Sequence, residues 1–169
     1  APVPGLANLP ARRLALNEYE GESVRLRVVM GPQLDYFTQQ GVNTFLGQRY
    51  ALTGEFDRMG CRLEGPAIEF AQGADIVSDG IALGAIQVPA HGKPIILLAD
   101  RQTTGGYAKI ATVISVDIPK IAQSRAGHGV EFEQVSVDRA RALALDERKW
   151  FNRLSARWRR PGIRSFFSR

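Results

Sequence analysis

The sequence predicts a mainly β domain, a closed or nearly closed barrel with short surface helices and one longer helix at its C-terminal end. Three observations predict it. Short extended runs rich in apolar and β-branched residues recur through the middle of the chain, turn residues separate them, and helical periodicity is confined to a few segments. The predicted strands are residues 24–30, 50–52, 62–64, 76–77, 85–88, 95–99, 111–116 and 130–135. Residues 34–40 and 118–123 read as short surface helices, because Pro32 precedes the first and Pro119 opens the second.

Each element has a local cause. The run 24–30 is VRLRVVM, which alternates cations with apolar residues as a half-buried strand does. The strand at 95–99 is wholly apolar and ends abruptly in Asp100, Arg101, Gln102, Thr103 and Thr104. Gly105 and Gly106 follow, and a tight turn is expected there, with Tyr107 and Lys109 alternating on the next extended run. Ser78-Asp79-Gly80 and the segment from Gly84 to Pro89 supply further polar residues beside turns. From Val137 the apolar positions Ala140, Leu143, Trp150, Phe151, Leu154 and Trp158 line one face of a helix over residues 137–160. Ser136 is placed to cap its start and Pro161-Gly162 to end it.

Composition fits one domain with a sizeable core: 169 residues, 44% hydrophobic, and a formal net charge of +5. The positive excess sits in the last segment, with Arg148, Lys149, Arg153, Arg157, Arg159, Arg160, Arg164 and Arg169. Charge-rich termini usually stay solvated, so that segment is expected to be a helix packed on the barrel or on another part of the protein, followed by a basic flexible tail at 161–169. Neither nucleic acid nor membrane is an expected partner. No run approaches the roughly 18 apolar residues of a membrane span. Residues 1–23 read as a proline-bearing linker without the charge pattern of a signal peptide. The single cysteine, Cys61, excludes an internal disulfide, suits a reduced cytoplasm, and reads as a packed core residue. The two histidines, His91 and His128, adjoin glycines in apparent turns at no metal-ligand spacing, so no metal site is expected. No Walker-type phosphate loop occurs.

A charged and hydroxyl-rich cluster between apolar strands is costly to bury unless its members satisfy one another or a ligand. For an isolated Asp-Arg pair a structural ion pair is the ordinary reading. Here Asp100 to Lys109 brings five polar residues, two glycines, a tyrosine and a lysine to one strand rim, and points to a site. Upstream, Phe56 to Pro66 sets alternating charges in a glycine-bounded segment.

Four motifs, GPQLDYF (31–37), DRMGCRLEGP (57–66), SDGIALGAIQVP (78–89) and ADRQTTGGYAKI (99–110), together resemble the allophanate hydrolase subunit 2 family. That family is also called the biotin-dependent carboxyltransferase-like family. It includes the C-type subunit of 5-oxoprolinase, the carboxyltransferase portion of urea carboxylase, and a bacterial antagonist of a sporulation-kinase inhibitor. The resemblance runs from about Val24 to about Val137 and corresponds to the C-terminal half of the family's unit. It implies a cyclophilin-like barrel over 24–136, preceded in the family by another half of domain size.

It also implies a subunit of an ATP-dependent 5-oxoprolinase, opening 5-oxoproline to glutamate in the cytoplasm. The expected partners are the missing half, and the A and B subunits of 5-oxoprolinase or an allophanate hydrolase subunit 1-like protein. ATP is then used by the assembled complex, with no covalently bound cofactor. In that reading Arg58, Arg62, Arg101 and Lys109 are anion anchors, because a substrate carboxylate or phosphorylated intermediate needs fixed cations. Asp79 and Asp100 orient those cations or handle a proton. Gln87, Gln102, Thr103, Thr104 and Tyr107 hydrogen-bond the amide-like group of a lactam, Gly105 and Gly106 allow close approach, and Glu64 joins the binding set. One alternative is carboxyl transfer to urea or a related amide, with biotin carried on a separate domain, since none of Lys93, Lys109, Lys120 and Lys149 lies in a biotin attachment motif. Another is a non-catalytic regulator that binds a partner protein.

Overall fold

A computed structural model describes residues 21–158 of the chain. Residues 1–20 of the expected linker, the end of the predicted helix and the basic tail at 161–169 lie outside the described residues. The described residues form nine strands: β1 (Ser23–Met30), β2 (Tyr50–Phe56), β3 (Gly60–Glu64), β4 (Asp75–Gly80), β5 (Ala85–Gln87), β6 (Ile95–Leu97), β7 (Thr104–Tyr107), β8 (Lys109–Val113) and β9 (Gly129–Gln134). Seven of them close a barrel in the order β1, β8, β5, β6, β3, β2, β9, and β4 and β7 form a separate two-stranded ribbon. The barrel closes where β9 returns parallel to β1, from Ser23 opposite Gly129 to Val28 opposite Gln134. The other barrel pairings are antiparallel. The mainly β closed barrel expected from the sequence is therefore the observed fold.

Strand alternation sets the core. Leu26 and Val28, Leu52, Cys61 and Leu63, Ile86, Ile96, Ala111 and Val113, and Val130 and Phe132 are all buried in one cluster. The rung Cys61, Ile96, Ile86, Ala111 crosses four neighbouring strands inside the barrel. The adjacent positions Arg62, Ile95 and Gln87 consequently face outward, and Lys109 joins them because the β5–β8 pairing shifts register between Ile86 and Gln87. Cys61 is fully buried, as its apolar neighbours suggested, and burial pushes its thiol up to about 12 despite a weak contact from Sγ to the Ile96 carbonyl oxygen at 3.8 Å.

Several local expectations change. The helix placed at 34–40 is instead a 3-10 turn, Leu34–Tyr36, followed by α1 (Gln39–Gly47). Thr38 is extended and its Oγ1 accepts the Gly41 N–H, so the helix starts one turn later than Pro32 suggested. Phe45 of α1 then stacks on Phe132 with ring centroids 4.3 Å apart. Gly105 and Gly106 do not turn the chain. They lie inside β7, opposite β4, with Gly105 facing Asp79 and Thr104 facing Gly80. Ser78, Asp79 and Gly80 are the last residues of β4, shortly before the turn at Leu83 and Gly84. The strand at 111–116 begins earlier, at Lys109, and stops at Val113, because Ser115–Asp117 is a 3-10 turn leading into α2 (Ile118–Ala122). That turn is tied down by Asp117, whose buried carboxylate accepts from Arg27 N at 2.9 Å, Arg27 Nε at 2.8 Å, Arg27 Nη2 at 2.6 Å and Lys120 Nζ at 2.8 Å.

The C-terminal helix α3 (Val137–Trp158) starts as expected, with Ser136 Oγ accepting the Arg139 N–H at 3.1 Å. Its first turns lie over the outer barrel surface, where Val137, Ala140 and Ala144 line a largely apolar hollow of about 400 Å³ with Val29, Thr112, Ile114 and Ile118.

Candidate functional site

The site forms where the β4–β7 ribbon covers the outward rung of β5 and β8. Every residue of β5 is buried; Ile86 faces the core, so Gln87 faces the ribbon. Four residues then close a ring. Gln87 lies opposite Lys109 across β5 and β8. Lys109 Nζ reaches Asp79 Oδ2 at 3.2 Å, Asp79 lies opposite Gly105 across the ribbon, and Gly105 sits directly over the Gln87 amide. A Cβ at Gly105 would lie 2.8 Å from Gln87 Nε2 and 2.7 Å from Ile81 Cδ1, so any side chain there would have to push aside the tips of both residues where the strand crosses Gln87.

The electrostatics are asymmetric. The Lys109 side chain is only 5% exposed, whereas that of Asp79 is 56% exposed. An ammonium that deep is costly unless compensated, and among the described residues its Nζ meets one partner, Asp79. The hydrogen bond from Lys109, with a second from the Gly80 N–H, holds the Asp79 carboxyl below the usual carboxylate range. Gln87 is 7% exposed, and its Nε2 has no hydrogen-bond partner among the described residues. A buried amide nitrogen without an acceptor is an unmet demand that a ligand oxygen would satisfy. The other buried polar atom without a partner among the described residues, Tyr50 Oη, belongs to a core ring tilted against Phe132.

Gln33, which no pattern in the sequence singles out, joins the ring from the loop after β1. Its Oε1 accepts the Lys109 N–H at 3.2 Å and its Nε2 donates to Asp79 Oδ2 at 3.4 Å. One side chain thus ties the backbone of the cation to the head of its counterion. The signal available in sequence was its place in GPQLDYF, one of the four motifs.

The remaining expected residues divide by location. Thr104, Gly106 and Tyr107 lie on the ribbon with Gly105, and Tyr107 is 42% exposed. Gln102 and Thr103 are exposed in the segment that enters β7. Arg101 ties this segment to the ribbon by donating from Nε to the Ile81 carbonyl at 3.0 Å and from Nη1 to the Leu98 carbonyl at 3.3 Å. Asp100 pairs with Arg58 of the β2–β3 turn at 2.7 Å, in an exposed ion pair. Arg62 and Glu64 belong to another hollow, of about 350 Å³, on the outer face of β3. There Arg62 pairs with Glu55 at 2.7 Å and Glu64 with Lys93. Three strand spacings separate Arg62 from Lys109 along the outward rung, about 14 Å. The structure therefore gathers Asp79, Gln87, Gly105 and Lys109, and leaves Arg58, Arg62, Glu64 and Asp100 in exposed ion pairs outside that ring.

Residues 4–134 match the family described as carboxyltransferase domain, subdomain A and B. The chain belongs to that family. It is 34% identical over 135 residues to the C-type subunit of 5-oxoprolinase from Escherichia coli, covering 80% of this chain and 43% of that protein. With the C-type subunit of 5-oxoprolinase from Haemophilus influenzae it shares 39% identity over 118 residues, 70% of this chain and 38% of the relative. The chain thus spans about two fifths of the length of these two relatives. A crystal structure of urea carboxylase from Kluyveromyces lactis superposes with a TM-score of 0.73 at 24% identity, covering 77% of this chain and 12% of that one, and supports the fold. No described helix is long and apolar enough to cross a membrane.

Proposed function

We propose that this chain is part of a 5-oxoprolinase subunit of the C type. It acts with partner subunits in the cytoplasm to open 5-oxoproline to glutamate, with ATP used by the assembled complex and no cofactor bound covalently to this chain. The partners are the rest of its own family unit, and the A and B subunits of 5-oxoprolinase or an allophanate hydrolase subunit 1-like protein. The observation that carries this reading is the unpartnered Gln87 amide beside a buried ammonium, under a strand stripped of its side chain at Gly105.

A lactam offers a matching set of groups. Gln87 Nε2 donates to the ring carbonyl oxygen, strengthening as negative charge grows there during ring opening. Lys109 holds an anion, either the substrate carboxylate or a phosphorylated oxygen. Asp79, kept ionised by Lys109, accepts the ring N–H. Gln33 keeps Lys109 and Asp79 in register. Arg101 holds the ribbon that covers them.

Carboxyl transfer to urea or a related amide makes similar demands, and the family description and the urea carboxylase fold support it as the second reading. Biotin would then arrive on a separate domain. The deciding experiment is 5-oxoproline-dependent ATP hydrolysis by the complete subunit, assembled with its candidate partners, beside a Gln87→Leu complex. Turnover that needs 5-oxoproline and falls about a hundredfold in Gln87→Leu is expected, the usual scale for losing one transition-state donor. A well-formed complex that ignores 5-oxoproline but carboxylates urea in the presence of carboxybiotin would overturn the first reading in favour of the second.

A further inference from the structure

Helix α3 begins just after the family match ends at residue 134, so its role is additional to the matched domain. At 22 residues it is about 33 Å long. The stripe that starts at Val137, Ala140 and Ala144 over the barrel continues at helical spacing through Leu143, Trp150, Phe151 and Leu154. Among the described residues this stripe is uncovered beyond the barrel: Trp150 is 41% and Phe151 55% exposed. Their rings meet edge to face at 4.9 Å.

Charge distinguishes the possible occupants. Arg141 and Arg148 border the stripe on one side; Arg139 and Arg153 lie on the other, with Asp146 between them around the helix and paired with Lys149, and Glu147 sits in the middle of the stripe, three and four residues before the aromatic pair. A second copy of the helix laid on this face would set two mainly basic borders against each other, with Asp146 already paired to Lys149 of its own helix. A bilayer would have to take up the Glu147 carboxylate at the centre of the buried face, against the charge of anionic headgroups. A protein groove meets every requirement: apolar pockets for Trp150, Phe151 and Leu154, an acidic rim for the arginines, and a donor for Glu147.

We infer that the distal half of α3 docks in an apolar, acid-rimmed groove on a partner subunit of the assembly. This rests on the reading of the chain as a subunit of a larger enzyme. The test is reconstitution of the complex from the complete subunit and its candidate partners, with binding measured by light scattering and interferometry. Trp150→Ala/Phe151→Ala is expected to weaken association by at least about tenfold, the scale of interface aromatic anchors, without changing the melting of the free chain. Arg148→Glu/Arg153→Glu is expected to weaken it and to remove its salt dependence, and Glu147→Leu to weaken it as well. A wild-type complex that the aromatic double variant forms equally tightly overturns the docking and leaves the subunit reading standing. A wild-type subunit that fails to assemble overturns both. Pelleting with phosphatidylserine vesicles that strengthens in Glu147→Leu overturns the groove in favour of a bilayer. Concentration-dependent dimerisation or oligonucleotide binding lost in the aromatic variant overturns it in favour of a second copy or a nucleic acid.

Discussion

Replacing Lys109 by methionine separates a role in chemistry from a role in folding. The lysine side chain is 5% exposed, and its one carboxylate partner is 56% exposed. Methionine is close to lysine in length and apolar stem, so it fills the same slot beneath the ribbon. The change removes an ammonium whose desolvation one hydrogen bond offsets only in part, and it strands no buried carboxylate, because water already reaches Asp79. Apolar replacement of this kind is commonly neutral or better, so the stability of Lys109→Met should stay within about 1 kcal/mol of wild type. For a chain of this size that is a melting shift of no more than about 4 °C. Lys109→Ala, which leaves the slot empty, should cost about 2–4 kcal/mol instead. In the assembled enzyme the methionine variant should lose about 10² to 10³ in turnover, because a fixed cation at a developing charge is gone. Urea midpoints of the chain and 5-oxoproline-dependent ATP hydrolysis of the complex are the two assays. A stable Lys109→Met complex with wild-type turnover would refute the electrostatic role, and a methionine variant as unstable as the alanine one would refute the desolvation argument.

Other perturbations probe the frame around the site. Asp117 is fully buried; desolvation alone would raise its pKa, but the hydrogen bonds from Arg27 and Lys120 outweigh it and hold the carboxyl below its ordinary value. Its contribution is therefore present above the unfolded pKa of about 3.9 and is lost as pH falls through the lower folded value. Asp117→Asn should cost about 3 kcal/mol at pH 7 and show a flatter loss of stability on acidification; parallel urea titrations with equal acid slopes would contradict this. Gly105→Ala should displace the Gln87 amide and cost about 1–3 kcal/mol by overpacking, read as a lower melting temperature, with an unchanged melt arguing that the ribbon lifts freely. Cys61, its thiol pushed up to about 12 by burial, should react with thiol reagents at pH 8 only as fast as the chain unfolds; rapid labelling of the native state would show an opening at β3.

The barrel was legible because its strands alternate cleanly or run wholly apolar, and the rung Cys61, Ile96, Ile86, Ala111 carries that pattern directly. The ribbon was not. Gly105 and Gly106 have low strand propensity, and their extended state comes from pairing with β4, about 25 residues earlier in the chain. The same distance hid the grouping of site residues. Composition made Asp100 and Arg101 the most conspicuous pair, yet their side chains are occupied by Arg58 and by two backbone carbonyls. Lys109 was expected as one of four anion anchors, and nothing in the sequence marked it as the buried one, because the ribbon over it is what buries it. Gln33 was unreadable as a positioning residue because its partners, Lys109 and Asp79, lie 76 and 46 positions away.

The parallel seam between β1 and β9 bears on how the molecule comes into being. Ser23 must find Gly129, and Val28 must find Gln134, so the first strand waits for the last before the wall is complete. During synthesis one edge of β1 therefore stays open until more than a hundred further residues have emerged, an interval in which it offers free backbone groups to any other extended segment. Such long-range closure predicts slow folding, in the millisecond-to-second range of barrels with distant pairings. It also places the joint with whatever precedes β1 on the strand that shuts the barrel, so that strain on the joint would register first as an opening of the wall.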